Sequence, residues 1–263
     1  MTIYPELNGK RVFITGASSG IGAGMAQILA KQGCKLVLHY CRNESGIAQT
    51  LDRVKVLGAQ AQVVRGDFRD YASLGQVFNQ AWSQFSGLDG LVNNAGLITK
   101  TTVLDDVEGE AFNQTLAVNL QAPYRLSSLF AQACIAAKQP GVVINNSSIH
   151  GQQTCEWFSA YAASKAGLDA MMKVMAVEWG QYGIRVNNLA PGVVPVERTV
   201  SILKQPKFKN PWMKAIPLGR YGSVEEMGAA TAFLLSDAAA WMTGSVLTLD
   251  GGLIARGSYP YRD

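Results

Sequence analysis

Short apolar runs alternate along the chain with longer segments in which apolar residues recur every three or four positions. The short runs are rich in Val, Ile, Leu and Phe, which is typical of buried strands, whereas the longer segments have the periodicity of helices. Strands are predicted at 11–15, 35–40, 61–65, 88–92, 142–146, 184–189 and 246–249. Helices are predicted at 21–31, 44–57, 74–85, 107–138, 159–181 and 223–235. This alternation predicts parallel βαβ units and therefore an α/β fold with a Rossmann-type, doubly wound parallel sheet.

The stretch 191–222 is the exception to this alternation, because prolines interrupt it at positions 191, 195, 206, 211 and 217. We expect it to be irregular. A long connection of this kind inside a compact domain is usually functional, often as a lid, so we predict a flap at about 193–222. Elsewhere the sequence has neither a repeat of fixed period nor a low-complexity tract. A single domain spanning 1–263 is therefore predicted.

The composition narrows the class of protein. With 263 residues, of which 48% are hydrophobic, the chain can build one sizeable core, and a disordered chain is excluded. The net charge of +4 is too small to indicate nucleic acid as a partner. Apolar runs stay below the roughly 18–20 residues of a membrane span, and the first residues lack the pattern of a signal peptide. The 4 cysteines form no C-x-x-C pair. We therefore predict a soluble, cytoplasmic protein with no metal site and no membrane partner.

The positive charge is concentrated in the predicted flap. Six Lys or Arg residues and no Asp or Glu lie between Arg198 and Arg220, so the remainder of the chain carries 17 basic residues (23 − 6) against 19 acidic ones. A basic flap is suited to attract a carboxylate or a phosphate, which suggests an anionic substrate. The alternative is a solvated, lysine-rich surface without a binding role.

A glycine-rich turn joins the first predicted strand to the first predicted helix. Gly16, Gly20 and Gly22 allow the backbone to approach a pyrophosphate closely, and the helix N-terminus supplies amide donors. The alternative is a tight structural turn. After the second strand, residues 39–43 contain no acid that could accept from a ribose 2′-hydroxyl, whereas Arg42 is suited to a 2′-phosphate. NADP(H) is favoured over NAD(H) on this ground, with NAD or dual use and a solvated Arg42 as the alternatives.

Tyr161 and Lys165 are four positions apart in a predicted helix, so their side chains share one face. A nearby ammonium favours the phenolate and lowers the pKa of a tyrosine toward neutrality, which suits proton transfer to or from a substrate oxygen. Ser148 follows the strand 142–146 and precedes Tyr161 by 13 positions (161 − 148). His150 is a second acid/base candidate, although a pocket-lining role is favoured. Cys155 and Trp157 are expected to shape the substrate pocket, and surface packing is the alternative for Trp157.

Three ordered motifs carry a resemblance to a known family: the Gly-x-x-x-Gly-x-Gly turn at 16–22, the sequence Asn-Asn-Ala-Gly at 93–96 and the Tyr-x-x-x-Lys pair. Together they resemble the short-chain dehydrogenase/reductase family, over essentially the whole chain from Lys10 to Gly252. The resemblance implies that Tyr161 is the general acid/base, that Ser148 donates to the substrate oxygen and that Lys165 binds ribose hydroxyls and tunes the tyrosine. It also implies that Asn119 holds the backbone for a water relay.

The same resemblance implies where a dinucleotide binds. The phosphates are expected at the glycine turn, the adenine beside Asp67, the ribose near 93–96 and the nicotinamide along 191–194. The implied cofactor residues are Gly16, Ser18, Ser19, Gly20, Ile21, Gly22, Tyr40, Arg42, Asn43, Asp67, Phe68, Asn93, Asn94, Ala95, Gly96, Tyr161, Lys165, Pro191, Gly192 and Val194. A strand-end turn is the alternative for Asp67. Val196 stands where the family often has a threonine that bonds the carboxamide, which puts that contact in doubt.

The substrate and the assembly follow from the resemblance only in outline. The sequences at 147–150 and 161–167 are similar to the sugar (glucose) dehydrogenase branch of the family, which suggests a sugar, a sugar acid or a keto acid as the carbonyl or alcohol substrate. The family is usually tetrameric through the helices 107–138 and 159–181. The alternatives are an NAD-dependent sugar or polyol dehydrogenase and a non-catalytic nucleotide-binding regulator. Enoyl reduction is disfavoured, since it requires a longer separation between tyrosine and lysine.

Overall fold

A computed structural model describes residues 4–256, so the first three and the last seven residues of the predicted domain lie outside the described residues. The described chain forms one sheet of seven strands in the order β3-β2-β1-β4-β5-β6-β7, and all neighbouring pairs are parallel. The strands are β1 (Arg11–Ile14), β2 (Lys35–Tyr40), β3 (Ala61–Arg65), β4 (Gly90–Asn93), β5 (Gly141–Asn146), β6 (Ile184–Pro191) and β7 (Val246–Leu249). The predicted α/β fold with a doubly wound parallel sheet is confirmed.

Helices cover both faces of this sheet. They are α1 (Gly20–Lys31), α2 (Glu44–Val56), α3 (Leu74–Ser83), α4 (Glu110–Leu116), α5 (Ala122–Ala136), α6 (Ser159–Trp179), α7 (Val200–Leu203), α8 (Pro206–Ala215) and α9 (Val224–Leu235). One core cluster contains Val12 and Ile14 of β1 with side chains of α1, α2 and α9. The other contains Phe13 with side chains of α3, α5 and α6. Successive residues of a strand point to opposite faces, so a strand buried on both sides must be apolar throughout.

The long helix predicted at 107–138 is divided in the structure. α4 starts only at Glu110, and a π-helical turn, Ala117–Gln121, separates it from α5. The interruption directly precedes Pro123, which lies in the first turn of α5. A proline inside a helix has no N–H for the carbonyl four residues earlier and collides with it, so the backbone widens at this point. The residue at that position is Asn119, which this turn contains.

The prediction that 191–222 is irregular is wrong in part, because α7 and α8 lie within it. Pro206 occupies the first turn of α8, where its missing N–H would have no helical partner in any case. Pro211 is tolerated inside this short helix, although a proline there removes one helical hydrogen bond. Prolines in this segment therefore mark helix starts as well as breaks. Among residues 4–256, none of the helices is both long and apolar enough to cross a bilayer.

The strand order places the site at one edge of the sheet. The chain runs outward from β1 to β3 and then returns to β4 on the other side of β1. Ligands of open α/β sheets bind outside the carboxyl ends of the strands where the order reverses in this way. The glycine turn follows β1, residues 94–96 follow β4, Ser147 and Ser148 follow β5, and 192–194 follow β6. The fold therefore brings the predicted motifs to one crevice.

Candidate active site

A cleft of about 880 Å³ lies along the carboxyl ends of β1, β4, β5 and β6. Most of the predicted site residues contribute to its wall. These are Gly16, Ser18, Ser19, Gly20, Ile21, Gly22, Arg42, Asn43, Asp67, Phe68, Asn94, Ala95, Gly96, Ser148, Tyr161, Lys165, Pro191, Gly192 and Val194. Tyr40, Asn93, Asn119, His150, Cys155 and Trp157 are not part of it. Residues more than 100 positions apart in sequence thus share a single crevice.

The glycine turn depends on the absence of side chains at two positions. A Cβ at Gly22 would lie 2.3 Å from the Gly16 carbonyl oxygen. A Cβ at Gly16, where φ is +65°, would lie 2.7 Å from Ala95 Cα. Both distances are too short for real contacts, so the turn packs directly against the segment after β4. The glycines are therefore needed for a tight structural turn, which is the alternative that the sequence left open. The same turn also lines the cleft.

His39 holds the glycine turn from below, and the sequence prediction missed it. Its Nδ1 accepts a hydrogen bond from the Gly16 N–H at 3.2 Å, so the ring proton must lie on Nε2, which donates to the Gly66 carbonyl at 3.1 Å. Burial lowers the pKa of His39 to about 4. The ring stacks on Phe68 at a centroid distance of 4.1 Å. A histidine that follows the buried apolar run Leu36–Leu38 in the same strand is the signal that could have indicated this role.

A path of hydrogen bonds joins the glycine turn to Lys165. The Asn94 amide donates to the carbonyl oxygens of Thr15 at 2.9 Å and Gly16 at 3.0 Å. Its Oδ1 accepts from the Asn146 amide at 2.9 Å, and the Asn146 carbonyl accepts from Lys165 Nζ at 2.7 Å. The side chain of Asn94, predicted as a cofactor ligand, is thus committed to protein groups. The turn and the lysine are held in a fixed relation.

Asn93, expected beside a ribose, belongs instead to a buried row of amides that crosses the sheet. Its amide donates to Asn145 Oδ1 at 2.8 Å, Asn145 donates to Asn188 Oδ1 at 2.8 Å, and Asn188 donates to Asp169 Oδ1 at 2.6 Å. Asn93, Asn145 and Asn188 are at most 3% exposed. Because buried amides require partners, this row fixes Asp169 one helical turn beyond Lys165.

Lys165 is a buried cation facing Tyr161. Its side chain lies in α6 and is 4% exposed, and Nζ lies 5.5 Å from the centre of the Tyr161 ring. Burial lowers the pKa of Lys165 to about 8, and the carboxylate of Asp169 opposes this shift. The lysine therefore remains mostly protonated at neutral pH.

Tyr161 differs from the expectation in one respect. Its pKa is raised because the phenol is buried, and a hydrogen bond from Ser148 and the charge of Arg198 counteract part of the shift. The prediction of a lowered pKa in the protein itself is therefore wrong, since desolvation outweighs the nearby charges. At neutral pH the phenol carries its proton, which suits a proton donor to a carbonyl oxygen.

Asn119 lies behind the cleft wall, where its side chain bridges a loop and a helix. Its Oδ1 accepts from the Leu97 N–H at 2.8 Å. Its amide donates to the Leu97 carbonyl at 2.9 Å and to Ser164 Oγ at 3.1 Å. Asn119 therefore fixes the backbone after Gly96 to α6, the helix of Tyr161, without contacting the cleft.

The three residues predicted to shape the substrate pocket lie beside the cleft wall rather than on it. The ring of His150 stacks on Phe158 at 4.8 Å and meets Tyr161 edge-on at 5.7 Å, and burial lowers the pKa of His150. Cys155 is exposed. Trp157 is 55% exposed and has φ +66°, a backbone conformation that is uncommon for a bulky residue.

The far end of the cleft carries two arginines around one acid. Arg69, which the sequence prediction missed, donates from Nε to both carboxylate oxygens of Asp67, at 2.9 and 3.2 Å, and also from Nη2. These hydrogen bonds lower the pKa of Asp67 to about 2. Arg42 approaches the same carboxylate only to 3.8 Å and its side chain is 73% exposed. Because Arg69 neutralises Asp67, the guanidinium of Arg42 is left for another anion.

Three further predicted cofactor residues have protein partners. Tyr40 is turned away from the cleft, and its ring lies 5.9 Å from the guanidinium of Arg65. It is among the cofactor residues implied by the resemblance, but the strand alternation places it on the opposite side from His39. Asn43 caps α2 by accepting from the Gly46 N–H at 3.0 Å. Phe68 is 4% exposed beneath His39.

Glu197 is the third residue that the sequence prediction missed, after His39 and Arg69. Its Oε2 accepts from the Gly20 N–H at 3.0 Å, at the N-terminus of α1. A Cβ at Gly20 would lie 3.1 Å from Val196 Cγ1, so the segment after β6 covers the glycine turn. The carboxylate occupies the position where the positive end of the helix favours an anion.

The cleft suits a dinucleotide on two grounds. Ser19, the N-cap residue of α1, makes no capping hydrogen bond with its side chain, so the first amides of the helix face the cleft without that internal acceptor. The glycine turn presents backbone rather than side chains, and the protein's own anion, Glu197, already lies there. These features favour a diphosphate, and Arg42 offers a cation at the end of the cleft.

The parallel sheet, the cleft at the point where the strand order reverses and the tyrosine–lysine pair define an oxidoreductase of the Rossmann type. The chain belongs to the short-chain dehydrogenase/reductase family, because a family model described as enoyl-(acyl carrier protein) reductase matches residues 16–254. The resemblance predicted from the three motifs is confirmed. Relatives named as hydroxysteroid and glucose dehydrogenases confirm that the family acts on hydroxyl and carbonyl groups, and solved structures that hold NADP or NADH confirm its use of a nicotinamide cofactor.

Two curated relatives illustrate its breadth. The chain is 34% identical to 3beta-hydroxysteroid dehydrogenase 1 of Eggerthella lenta, over 95% of this chain and 96% of the relative. It is 30% identical to glucose 1-dehydrogenase 2 of Bacillus subtilis, over 95% and 97%.

Two solved structures share the fold. One, from Beutenbergia cavernae, is named as an NAD(P)-dependent gluconate 5-dehydrogenase and holds NADP; its TM-score is 0.88 at 32% identity, over 95% of this chain and 98% of that one. The other is a 7 alpha-hydroxysteroid dehydrogenase with NADH and 7-oxo glycochenodeoxycholic acid, with a TM-score of 0.87 at 30% identity over 94% of each chain.

Proposed function

We propose that the protein is an NADP(H)-dependent oxidoreductase that transfers hydride between the nicotinamide and a carbonyl or secondary alcohol of a small polar substrate, with Tyr161 as general acid/base. The observation that carries the proposal is the convergence of Ser148, Tyr161 and Lys165 on the cleft that contains the glycine turn. A regulator that only binds a nucleotide would have no physical need for a buried cation facing a tyrosine.

The cofactor would supply hydride chemistry, and the residues of the chain would manage the proton. In carbonyl reduction, the Tyr161 hydroxyl donates its proton to the substrate oxygen while Ser148 donates a hydrogen bond to the same oxygen. Lys165 stabilises the phenolate that remains, because its ammonium faces the ring at 5.5 Å. In the alcohol direction the same phenolate accepts the proton. Asn119 positions the backbone beside the pair and does not touch the substrate.

The dinucleotide would extend from the glycine turn to Arg42, in line with the predicted cofactor residues that line the cleft. Gly16, Gly20 and Gly22 would face the phosphates. The segment 192–194 would lie along the nicotinamide, and the flap at 193–222 would cover the site. With a valine at 196, the carboxamide would lack a hydroxyl partner at this position.

The substrate is proposed to be a sugar, a sugar acid or a keto acid. Two relatives named for glucose and gluconate favour this class, and steroid dehydrogenases are the competing precedent. Enoyl reduction, the description of the family model, is disfavoured by the four-residue spacing of Tyr161 and Lys165. The deciding experiment is a panel of carbonyls, alcohols and enoyl thioesters followed at the nicotinamide absorbance. Cofactor binding without turnover of any of them would favour the regulator.

Arg42→Ala is expected to raise the KM for NADP⁺ about tenfold and to leave the KM for NAD⁺ unchanged. A charge-assisted hydrogen bond to a phosphate supplies this much, and the value is taken at the low end because the arginine is exposed. Arg65→Ala is the matched control, since Arg65 pairs with Glu44 at 3.2 Å and does not line the cleft. An unchanged KM for NADP⁺ in Arg42→Ala would refute NADP selection by this residue, and a lower KM for NAD⁺ than for NADP⁺ in the unaltered enzyme would refute the preference itself.

A homotetramer is proposed from the exposed apolar faces of α5 and α6. Tyr124 is 53%, Val174 56% and Val177 83% exposed, and a groove of about 570 Å³ lies between these helices. Surfaces of this kind mark association sites. We expect Val177→Glu to shift the mass in sedimentation from the tetramer toward smaller species, whereas Val56→Glu on the other face, with Val56 86% exposed, leaves it unchanged. A monomeric unaltered protein would exclude the assembly.

The four thiols, none of them in a disulfide, favour a reducing compartment, and we place the protein in the cytoplasm.

A further inference from the structure

The six cations of the segment 198–220 do not act together on the cleft. Arg220 donates to both carboxylate oxygens of Glu226, at 3.0 and 2.6 Å. Lys207 lies over the ring of Phe208 at 5.0 Å. Of the six, Arg198 alone lines the cleft that contains Tyr161, as far as the described residues show. The positive charge that a substrate would meet is therefore a single guanidinium rather than a basic surface.

Arg198 is not neutralised by its surroundings. It is exposed and makes neither an ion pair nor a side-chain hydrogen bond with any residue that the structure describes. The adjacent acid, Glu197, points the other way, toward the Gly20 N–H at 3.0 Å. An unpaired guanidinium inside a concave site attracts anions, and its planar fork fits a carboxylate with two parallel hydrogen bonds.

The position of Arg198 in the cleft that also contains Tyr161 indicates which ligand it serves. The charge of Arg198 acts on Tyr161 and lowers the pKa of its hydroxyl, whereas Glu197 does not contribute to that pKa. Two further guanidiniums of the cleft, those of Arg42 and Arg69, lie at its opposite end beside Asp67, and the remaining cation of the described lining, Lys165, is buried and faces the Tyr161 ring. The cleft thus has two separate positive ends, one near Asp67 and one near the reacting hydroxyl.

We infer that Arg198 binds a carboxylate of the substrate, so that the enzyme selects hydroxy acids and oxo acids over their uncharged counterparts. The inference rests on the proposed function, since it assigns the substrate class of the same site. It identifies one residue as the origin of a charge preference that the sequence suggested only for the flap as a whole.

The test compares an oxo acid with its own primary amide, which has the same shape without the charge. For the unaltered enzyme we expect kcat/KM for the acid to exceed that for the amide by about 10- to 100-fold, the range of hydrogen bonds to charged groups. In Arg198→Met the acid-to-amide ratio is expected to fall to near one. Raising the salt concentration should lower kcat/KM for the acid more steeply than for the amide, and this difference should disappear in Arg198→Met.

Lys204→Met is the matched control, because Lys204 belongs to the same segment and is exposed outside the cleft. The ratio should be retained in this variant. If Lys204→Met and Arg198→Met lower the ratio equally, a diffuse field rather than Arg198 selects the acid, and the inference is overturned. It is also overturned if Arg198→Met weakens NADP(H) binding in a fluorescence titration by the same factor as kcat/KM for the acid. Equal turnover of acid and amide by the unaltered enzyme would overturn the inference and leave the proposed function intact, whereas turnover of no member of any pair would overturn both.

Discussion

Tyr161→Phe is expected to lower kcat by about 10²–10⁴-fold, the contribution of a positioned general acid/base. The substitution removes the hydroxyl alone. The ring that remains can keep its edge-on contacts with His150 at 5.7 Å and Phe158 at 6.2 Å. The loss should therefore appear in single-turnover hydride transfer, while NADP(H) still binds with its original Kd and the protein unfolds at its original temperature.

The same assignment predicts how the rate of carbonyl reduction depends on pH. Burial raises the pKa of Tyr161 in the protein alone, so the proton donor for carbonyl reduction is present throughout the neutral range. Reduction should be insensitive to pH there, as far as this group is concerned. Tyr182→Phe is the control, since Tyr182 lies beyond the other end of α6. If Tyr161→Phe retained the kcat of the unaltered enzyme, another residue would be the acid, with His150 the first to examine.

Lys165→Met is expected to lower kcat by about 10²–10³-fold, the usual loss when a preorganised cation or donor is removed from a site. The buried ammonium is the charge that faces Tyr161 and would stabilise its phenolate. Methionine has nearly the same length but cannot hydrogen-bond to the Asn146 carbonyl, now 2.7 Å from Nζ. Lys173→Met, an exposed position on the same helix, serves as the control and should retain full activity.

The stability of Lys165→Met separates a role in catalysis from a role in folding. The folded pKa of about 8 lies below the ordinary lysine value of 10.5, so the unfolded chain holds this proton more tightly. Stability therefore rises with pH across that window, and keeping the lysine charged costs about 3 kcal/mol below it. The variant should lack this rise. At pH 7 the variant no longer bears the cost of burying a charged lysine, but it loses about 1–3 kcal/mol because the Asn146 carbonyl is left unpaired. Denaturant unfolding should therefore show similar stabilities for the variant and the unaltered protein. A large loss of stability would indicate that Lys165 is mainly structural.

Most of the fold could be predicted from local pattern. The strands and their parallel pairing follow from the alternation of short apolar runs with helical segments, and β2, β3 and β7 have the predicted bounds. The division of the helix at 107–138 could not be predicted from periodicity, because the cause is the collision of Pro123 with the preceding turn. In 191–222 the sequence predicts too little helix, because a proline can start a helix as well as interrupt one, and Pro206 starts α8.

The site could be predicted where residue type and spacing determine geometry, as for Ser148, Tyr161 and Lys165, which share the cleft. It could not be predicted where several partners compete for one side chain. Asn94 and Asn43 form hydrogen bonds with backbone groups. Strand alternation places Tyr40 on the side away from the cleft, beside Arg65. The pKa of Tyr161 depended on the balance of desolvation and charge, which a sequence does not display. Glu197 and Arg69 act through contacts that only the folded chain creates.

The hydrogen bond between Glu197 and the Gly20 amide, 3.0 Å long, has a kinetic consequence. A single N–H at the N-terminus of α1 cannot serve a carboxylate and a diphosphate together, and two anions repel each other there. We therefore expect a dinucleotide entering the cleft to displace the Glu197 carboxylate, whose neighbour in the chain is Arg198. If Arg198 binds the substrate as inferred above, we expect its guanidinium to take its final position only after the dinucleotide is bound. Steady-state turnover should then follow an ordered sequence in which the dinucleotide binds first and leaves last.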